Sequence, residues 1–241
     1  MNRNYLGMLK HFVYLNLIIL LVACSESSKE EQKTETKEVV GEMPAPLEYF
    51  YPKDTTVYMY VYQNTKNPDD QYIERVMYKE VDGVDHFFVS RYDARMNPIF
   101  TMSYWVLEGN IELMKANMVI GRVPYESKIK NGFTFPTGAN MVANTTYDFP
   151  VNDSIIQVIE INRKFKGLDT LNEGGLVSPC IVFKDSVRTT YVDIKNEQHT
   201  SQPGYLETYF EKGIGKILEK NDRMGYRLIM RTTADQFAKL Q

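Results

Sequence analysis

The sequence predicts an all-β fold with minor α content, an antiparallel and strongly curved sheet or half-barrel of about 10–11 strands followed by a short C-terminal helix. Three observations support this prediction. Runs rich in β-branched and aromatic residues follow one another through residues 47–241. Two-residue turns that contain glycine separate several of these runs, and 17 Tyr and 12 Phe are available for a core. Residues 47–241 are therefore predicted to form a single β domain.

The first five strands are predicted from alternation and from turn signals. Residues 55–63 alternate Tyr58, Tyr60 and Tyr62 with aliphatic residues, so both faces of this strand can be covered. Asp82-Gly83 and Gly109-Asn110 each favour a two-residue hairpin turn, because these residues accept positive φ. The predicted meander comprises residues 55–63, 71–81, 84–91, 99–108 and 111–120.

Residues 124–153 interrupt this pattern, since 16 of these 30 residues are Gly, Pro, Asn, Asp, Ser or Thr. Long loops in compact domains are usually functional or mobile, which favours a loop that covers a site. A crossover between two parts of one sheet, with a short strand inside it, explains the same composition equally well.

Strand patterns resume after residue 153 and lead to a terminal helix. The predicted strands are residues 154–165, 176–184, 186–195, 205–212, 216–219 and 226–231. Thr233-Ala234-Asp235-Gln236 is a capping-box pattern and predicts the start of the helix. An outer-membrane barrel is disfavoured because charged residues such as Glu74, Lys115 and Arg188 fall within the strands and leave no continuous lipid-facing band.

The first 24 residues have the layout of a signal peptide. Arg3 and Lys10 precede an apolar stretch at residues 12–23, which is interrupted only by Asn16. As a helix this stretch would be about 18 Å long, well short of the roughly 30 Å hydrocarbon core of a bilayer. A permanent transmembrane helix is therefore a poor interpretation.

Leu21-Val22-Ala23-Cys24 resembles the lipobox of bacterial lipoproteins. The resemblance implies removal of residues 1–23 and attachment of acyl chains, palmitate among them, to Cys24, which would anchor the protein in a membrane. Ser25 stands where Asp would favour the inner membrane, which implies an outer-membrane anchor with the protein on the periplasmic or the external side. The alternative is a cleaved secretory signal in which Cys24 is incidental.

Residues 24–46 are predicted to be the lipidated Cys24 and a flexible acidic tether. Residues 25–46 contain six Glu, three Lys and no aromatic residue, a composition that cannot bury enough surface to fold. A marginal short helix and a surface-export signal are alternatives to a solvated spacer. Without residues 1–23 the chain has 26 basic and 31 acidic residues, and most of the excess lies in the tether. The nearly neutral β domain therefore has no electrostatic reason to bind nucleic acid.

Two segments of the domain resemble a family of bacterial exported proteins of unknown function. They are Gly175-Leu-Val-Ser-Pro-Cys180-Ile-Val-Phe183 and Tyr209-Phe-Glu-Lys-Gly213-Ile-Gly215-Lys-Ile-Leu-Glu219, and Lys216 stands where the family commonly carries Leu. The resemblance implies an open half-barrel like that of the LolA, LolB and LppX types of lipoprotein carrier, with an apolar concave face. From the residues alone, Gly213 and Gly215 are predicted to permit a bulge or a tight bend.

The sequence contains few groups suited to catalysis. His86 and His199 are the histidines outside the signal peptide, and neither belongs to a metal-binding spacing. Cys180 lies in an apolar strand and is predicted to be a buried small hydrophobe. We therefore predict no catalytic site, no metal and no cofactor, and do not expect an enzyme.

The leading functional hypothesis is a membrane-anchored lipoprotein that binds an apolar or amphipathic ligand, such as a lipid, in a cavity of the curved sheet. Tyrosine suits such a cavity because it combines apolar area with a hydroxyl. The candidate ligand-binding residues are Tyr58, Tyr60, Tyr62, Trp105 and Tyr191. The alternative is a non-catalytic structural or accessory lipoprotein that docks a protein complex of the cell envelope.

Overall fold

The computed structural model describes residues 42–120, 123–173 and 176–240. The predicted signal peptide, Cys24 and the predicted tether as far as residue 41 lie outside the described residues, and their assignments stay predictions. Within the described ranges the chain forms a thirteen-stranded antiparallel sheet that curls into a nearly closed barrel. The strands are β1 (Tyr58–Asn64), β2 (Gln71–Val81), β3 (Val84–Asp93), β4 (Pro98–Leu107), β5 (Asn110–Ile120), β6 (Val123–Glu126), β7 (Lys128–Gly132), β8 (Val142–Asn152), β9 (Ile155–Glu173), β10 (Leu176–Asp193), β11 (Gln198–Glu211), β12 (Gly215–Lys220) and β13 (Gly225–Thr233).

The sheet consists of two meanders joined between the first and the last strand. Its order is β6-β5-β4-β3-β2-β1-β13-β12-β11-β10-β9-β8-β7, so β1 pairs with β13 near the middle. This arrangement confirms the predicted all-β class and the strong curvature. The strand number exceeds the predicted one, because residues 124–153 contain most of β6 together with β7 and β8. The longest non-strand part of that segment is residues 133–141, so the crossover interpretation is closer to the structure than a long loop.

The hairpin turns follow the glycine signals with one shift in register. Asp82 and Gly83 have φ of 52° and 78°, as the predicted turn between β2 and β3 requires. At the next hairpin the positive φ values belong to Glu108 (51°) and Gly109 (82°). The predicted turn Gly109-Asn110 is therefore wrong by one residue, because Asn110 already pairs with Leu107 in the sheet.

The barrel closes where β5 approaches the segment that carries β7. The second half of β5 pairs with β6, while its first half meets the other end of the sheet. Ser127 N donates to Ala116 O (2.8 Å) and Thr134 N donates to Ile111 O (3.1 Å). Glu112 and Phe133 form an isolated antiparallel β-bridge. A side chain at Gly132 would collide with the backbone of Leu113, so glycine permits this contact.

The alternating strands divide their side chains between the interior and an outer face. Tyr60 and Tyr62 of β1 lie in the main core cluster, whereas Met59 and Val61 pack outside against Phe237 of α1 (Ala234–Phe237). The prediction that both faces of β1 are covered is confirmed. The predicted capping box is also confirmed, since the Thr233 side chain accepts from Gln236 N and the Gln236 side chain accepts from Thr233 N.

Within the described residues, no helix has the length and hydropathy needed to cross a lipid bilayer.

Candidate functional site

The interior of the barrel contains a group of four charged residues, which we call the interior ion cluster: Glu74, Arg91, Lys216 and Glu219. Arg91 donates to Glu74 Oε1 from Nε (3.1 Å) and Nη2 (2.6 Å). Lys216 Nζ lies 3.1 Å from the same oxygen and 3.2 Å from Glu219 Oε2. Glu74 is only 2% exposed, so these charges are paired away from bulk water.

Strand register explains how the four residues meet. Glu74 of β2 stands directly opposite Arg91 of β3, so their side chains share the inner face. On β12 a register shift opposite Tyr209 and Phe210 lets two residues of unlike parity, Lys216 and Glu219, both point inward. A regular strand would place them on opposite faces.

Two tyrosines complete the interior ion cluster. Tyr51 donates to Glu74 Oε2 and Tyr72 donates to Glu219 Oε1, both at 3.0 Å. Burial acts to raise the pKa of Glu74, but the charges and hydrogen bonds of Lys216 and Arg91 outweigh it and lower the pKa from 4.5 to about 2. The pKa of Glu219 is also lowered against burial, chiefly by Lys216 and Arg91. Both carboxyl groups are therefore ionised at neutral pH.

A second buried ion pair lies on β9 and β10. Arg163 donates from Nε to Asp185 Oδ1 (2.7 Å) and from Nη2 to Asp185 Oδ2 (2.8 Å), a bidentate pair between residues directly opposite in the sheet. Thr208 of β11 also donates to Asp185 Oδ2 (2.8 Å). Because Asp185 pairs inside the sheet, β10 continues through it, and the predicted division into strands 176–184 and 186–195 is wrong.

Both ion groups line one cavity inside the barrel, with a volume of about 260 Å³. The cavity continues from Arg163, Asp185 and Thr208 past Ile161, Val187 and Leu206, each two residues further along its strand. We call the side of the cavity that the two ion groups form its ionic floor, and the other lining residues its walls. The walls are largely apolar. The main apolar wall residues are Phe100, Met102, Tyr147, Ile161, Val187 and Leu206.

The hydrogen-bonding capacity of the cavity is unbalanced. Its carboxylates already accept from arginine, lysine, tyrosine and threonine donors, whereas several donors remain unused. The structure gives no hydrogen-bond partner among the described residues to the Tyr147 hydroxyl or to Nη1 of Arg91 and Arg163. The Tyr104 hydroxyl has only a thioether acceptor, Met102 Sδ at 3.0 Å. A ligand in this cavity therefore meets hydrogen-bond donors of the protein that have no acceptor, or only a weak one, among the described residues.

Phe50, Tyr51 and Phe135 form an aromatic plug beside the cavity, which Phe50 and Tyr51 line. The rings of Phe50 and Phe135 lie 5.5 Å apart, and Phe135 contacts Phe183 at 5.2 Å. Gly215 has φ +110°, and a Cβ there would lie 2.5 Å from Phe50 O. The predicted bend at Gly213 and Gly215 is confirmed, and it lets the chain before β1 enter the barrel.

A larger groove of about 510 Å³ lies between Lys184, Tyr205, Glu207 and Lys220. Lys184, Glu207 and Lys220 are paired across β10, β11 and β12 on the outer face of the sheet. Tyr205 is 62% exposed, so this groove is open surface rather than a shielded pocket. The interior cavity is the better candidate for a binding site, because it combines buried charges with apolar walls.

The structure does not bring the predicted ligand-binding residues together around the interior cavity. Tyr60 and Tyr62 are fully buried, and their hydroxyls donate to Ile214 O (2.7 Å) and Lys216 O (2.8 Å). Tyr58 shares their face and contacts Tyr60. Trp105 lies on the outer face and stacks on His86, with ring centroids 4.6 Å apart. Tyr191 lies near the far end of β10. None of the five lines the cavity.

Sequence reasoning missed the charged residues of the interior. Glu74 was visible only as a charge within a strand, and Lys216 as a departure from the family resemblance. The available signal was position: Glu74 shares its strand face with Tyr72 and Val76, both buried. A charge that alternates with buried residues of this kind indicates an interior ion pair.

The two remaining candidate residues, Cys180 and His199, lie within strands of the sheet. Cys180 is 1% exposed and its Sγ donates to Ser178 O (3.1 Å), which confirms the predicted buried hydrophobe. Burial raises the pKa of this thiol. His199 lies in β11 opposite Val192, because this strand begins at Gln198 and not at residue 205 as predicted. No group of three or more His, Cys, Asp or Glu side chains suited to a metal ion occurs in the part of the chain that the structure describes.

Comparison with known proteins identifies the fold alone. No protein-family profile matches the sequence, and no curated protein matches it. A crystal structure from Bacteroides fragilis, assigned to an exported protein with a YmcC-like fold, superposes with a TM-score of 0.50 at 13% identity. The match covers 76% of this chain and 99% of that chain. A protein from Parabacteroides distasonis, assigned as a lipoprotein, has a TM-score of 0.48 at 11% identity over 77% and 96% of the two chains.

Proposed function

We propose that this protein is a lipid-anchored protein of the bacterial cell envelope whose barrel binds a small amphipathic ligand. The single observation that carries the binding proposal is the interior cavity, where an ionic floor adjoins apolar walls. The envelope location rests on the residues from Arg3 to Cys24. The export assigned to the Bacteroides fragilis protein of similar fold agrees with it.

The arrangement of the walls supports one orientation for the ligand. The polar groups lie beside the aromatic plug, and the apolar residues Ile161, Val187 and Leu206 lie further along the strands. A ligand can therefore place its polar head against Arg91 and Arg163 and its apolar part along the walls. Burying the apolar part contributes about 25 cal/mol per Å² of surface removed from water.

The volume of the cavity limits the size of what it encloses. About 260 Å³ corresponds to roughly nine water molecules and lies just below the range of roughly 300–1,000 Å³ for sites of drug-sized ligands. The buried part of the ligand is therefore a small head with a short apolar segment. A longer chain would extend out of the cavity past Val187 and Leu206. Long lipids wholly enclosed in the barrel are not expected.

A pair of variants at Val187 tests the proposal. Val187→Phe fills the cavity, whereas Val187→Ala keeps it open, and both replace the same half-buried wall residue. We expect the full mature chain in lipid nanodiscs to bind monooctanoylglycerol saturably in calorimetry, with protein-free nanodiscs as the blank. Val187→Ala should retain this binding and Val187→Phe should weaken it at least tenfold. Absence of saturable binding, or equal binding by the two variants, would overturn the proposal.

A further inference from the structure

We infer that the ligand of the interior cavity presents an uncharged oxygen-acceptor head, an ester or amide carbonyl, rather than a free acid or an amine. This inference rests on the proposed function and adds the chemical class of the head group. Its basis is the set of donors and acceptors around the cavity.

Every carboxylate oxygen on the cavity floor already accepts at least one hydrogen bond. Glu74 accepts from Arg91 and Lys216 on one oxygen and from Tyr51 on the other. Each oxygen of Glu219 also has a donor, Tyr72 or Lys216. Each of these carboxylates is already balanced by a paired cation, so a cationic head would add an uncompensated positive charge inside the barrel.

Asp185 is occupied in the same way, since both of its oxygens accept from Arg163 and one also accepts from Thr208. Together with Glu74 and Glu219 it accounts for the three carboxylates that line the cavity. A cationic head is thus disfavoured at all three carboxylates, because each already has a paired cation.

Unused donors, by contrast, converge on the cavity. The Tyr147 side chain is only 7% exposed and lines the cavity, yet its hydroxyl has no partner among the described residues. Arg91, Arg163, Tyr104 and Tyr147 all line this one cavity, and the Tyr104 hydroxyl has only the thioether of Met102 as an acceptor. The two guanidinium groups and two phenols therefore surround one space, and an acceptor placed there would satisfy them.

The charge balance selects among acceptors. The cavity has three cations, Arg91, Arg163 and Lys216, and three anions, Glu74, Asp185 and Glu219. A carboxylate or phosphate would add an uncompensated negative charge inside the barrel, where ions are poorly solvated. An ester or amide carbonyl accepts the same hydrogen bonds without adding charge. The apolar walls then accommodate a short acyl chain attached to it.

Three ligands with the same eight-carbon chain test this inference. Monooctanoylglycerol, octanoate and octylammonium are titrated at pH 7.5 into the full mature chain in nanodiscs, with protein-free nanodiscs as the blank. We expect the ester to bind at least tenfold more tightly than octanoate, and octylammonium to show no saturable binding. Octanoate binding as tightly as the ester, or saturable binding of octylammonium, would overturn the inference.

Removal of one hydroxyl connects the binding to the cavity donors. Tyr147→Phe should weaken binding of the ester roughly three- to tenfold, as expected for one hydrogen bond, and leave the melting temperature unchanged because the hydroxyl has no partner. Tyr205→Phe, at an exposed tyrosine outside the cavity, is the matched control and should bind as the parent does. Equal effects of the two substitutions would contradict the assignment of the donors.

The outcomes separate the inference from the proposed function. If octanoate binds best and Val187→Phe abolishes its binding, the head-group inference is wrong while ligand binding in the barrel stands. If no ligand binds, or if Val187→Phe binds as tightly as Val187→Ala, the proposed function itself is wrong.

Discussion

Lys216 Nζ lies 3.1 Å from Glu74 Oε1, although the two residues are 142 positions apart and their strands are not neighbours in the sheet. Strands β1 and β13 separate β2 from β12, so this ion pair spans the inner face of the barrel. Lys216 lies over the ring of Tyr62 at 4.9 Å. The pair therefore connects the two meanders through the interior as well as through backbone pairing.

Glu74→Gln should destabilise the protein at neutral pH, because the charges of Lys216 and Arg91 would lose their carboxylate partner. The expected loss in the free energy of unfolding is about 3–5 kcal/mol, as for other buried ion pairs broken on one side. Urea titration monitored by circular dichroism measures this loss. Glu80→Gln, at an exposed position of the same strand, is the control and should change stability by less than about 0.5 kcal/mol.

The same variant gives a pH test. The pKa of Glu74 is lowered in the folded state to about 2, so its contribution is present above the unfolded value of 4.5 and is lost as the pH falls. The stability difference between the parent and Glu74→Gln should therefore narrow below about pH 4.5, by up to about 3 kcal/mol. A difference that stays constant from pH 7 to pH 3 would contradict the ionised Glu74.

Gly215→Ala should lower stability by more than about 2 kcal/mol. Positive φ strains an alanine, and its Cβ would lie 2.5 Å from Phe50 O and from the Tyr51 ring. Gly204→Ala is the matched control, since its nearest contact would be an ordinary 3.8 Å from Val187 O. Thermal melting of both variants checks the prediction, and equal melting temperatures would show that the aromatic plug does not need this glycine.

Phe135→Ala should lower the free energy of unfolding by about 3–5 kcal/mol, the usual range when a buried phenylalanine is replaced and leaves a cavity. Phe135 is 3% exposed and contacts the rings of Phe50, Phe183 and Phe210, while the Arg163 guanidinium lies 4.6 Å from its ring centroid. Phe133→Ala, at a half-buried position nearby, should cost less. If chemical denaturation shows that Phe133→Ala lowers the free energy of unfolding more than Phe135→Ala does, the assignment of the core contact to Phe135 is wrong.

Thiol titration of the chain purified from membranes tests the two cysteines together. Native protein should not react with a thiol reagent within minutes, because Cys180 is buried and its pKa is raised by burial. In denaturant we expect one reactive thiol per chain, from Cys180, because acylated Cys24 has none. Two thiols would contradict lipidation of Cys24, and one fast thiol in the native state would contradict the burial of Cys180.

The sequence was sufficient for those elements that depend on local patterns. The bounds of β2 are as predicted, since alternation and the Asp82-Gly83 turn define them, and the capping box defines the start of α1. The polar composition of residues 124–153 concealed β7 and β8, which pair with each other, while β8 also pairs with β9. Backbone pairing tolerates such residues when neighbouring strands supply the packing.

The candidate site was largely beyond sequence reasoning. Tyr58, Tyr60 and Tyr62 share an inner face as predicted, but that face also carries Glu74 and Arg163. Their partners Arg91 and Asp185 stand opposite them on the next strand, and Lys216 reaches Glu74 from β12. The register shift that turns both Lys216 and Glu219 inward has no clear local signature. The pairing of the strands in the folded barrel therefore decides which tyrosines line the cavity and which fill the core.

The most direct test of the central claim is a crystal structure of the protein with monooctanoylglycerol. We predict density for the ester within the barrel, with its carbonyl oxygen within hydrogen-bond distance of the Tyr147 hydroxyl and of a guanidinium group of Arg91 or Arg163. Its acyl chain should contact Val187 and Leu206. A cavity that contains only ordered water while the ligand is saturating, or a ligand bound on the outer face, would contradict the claim.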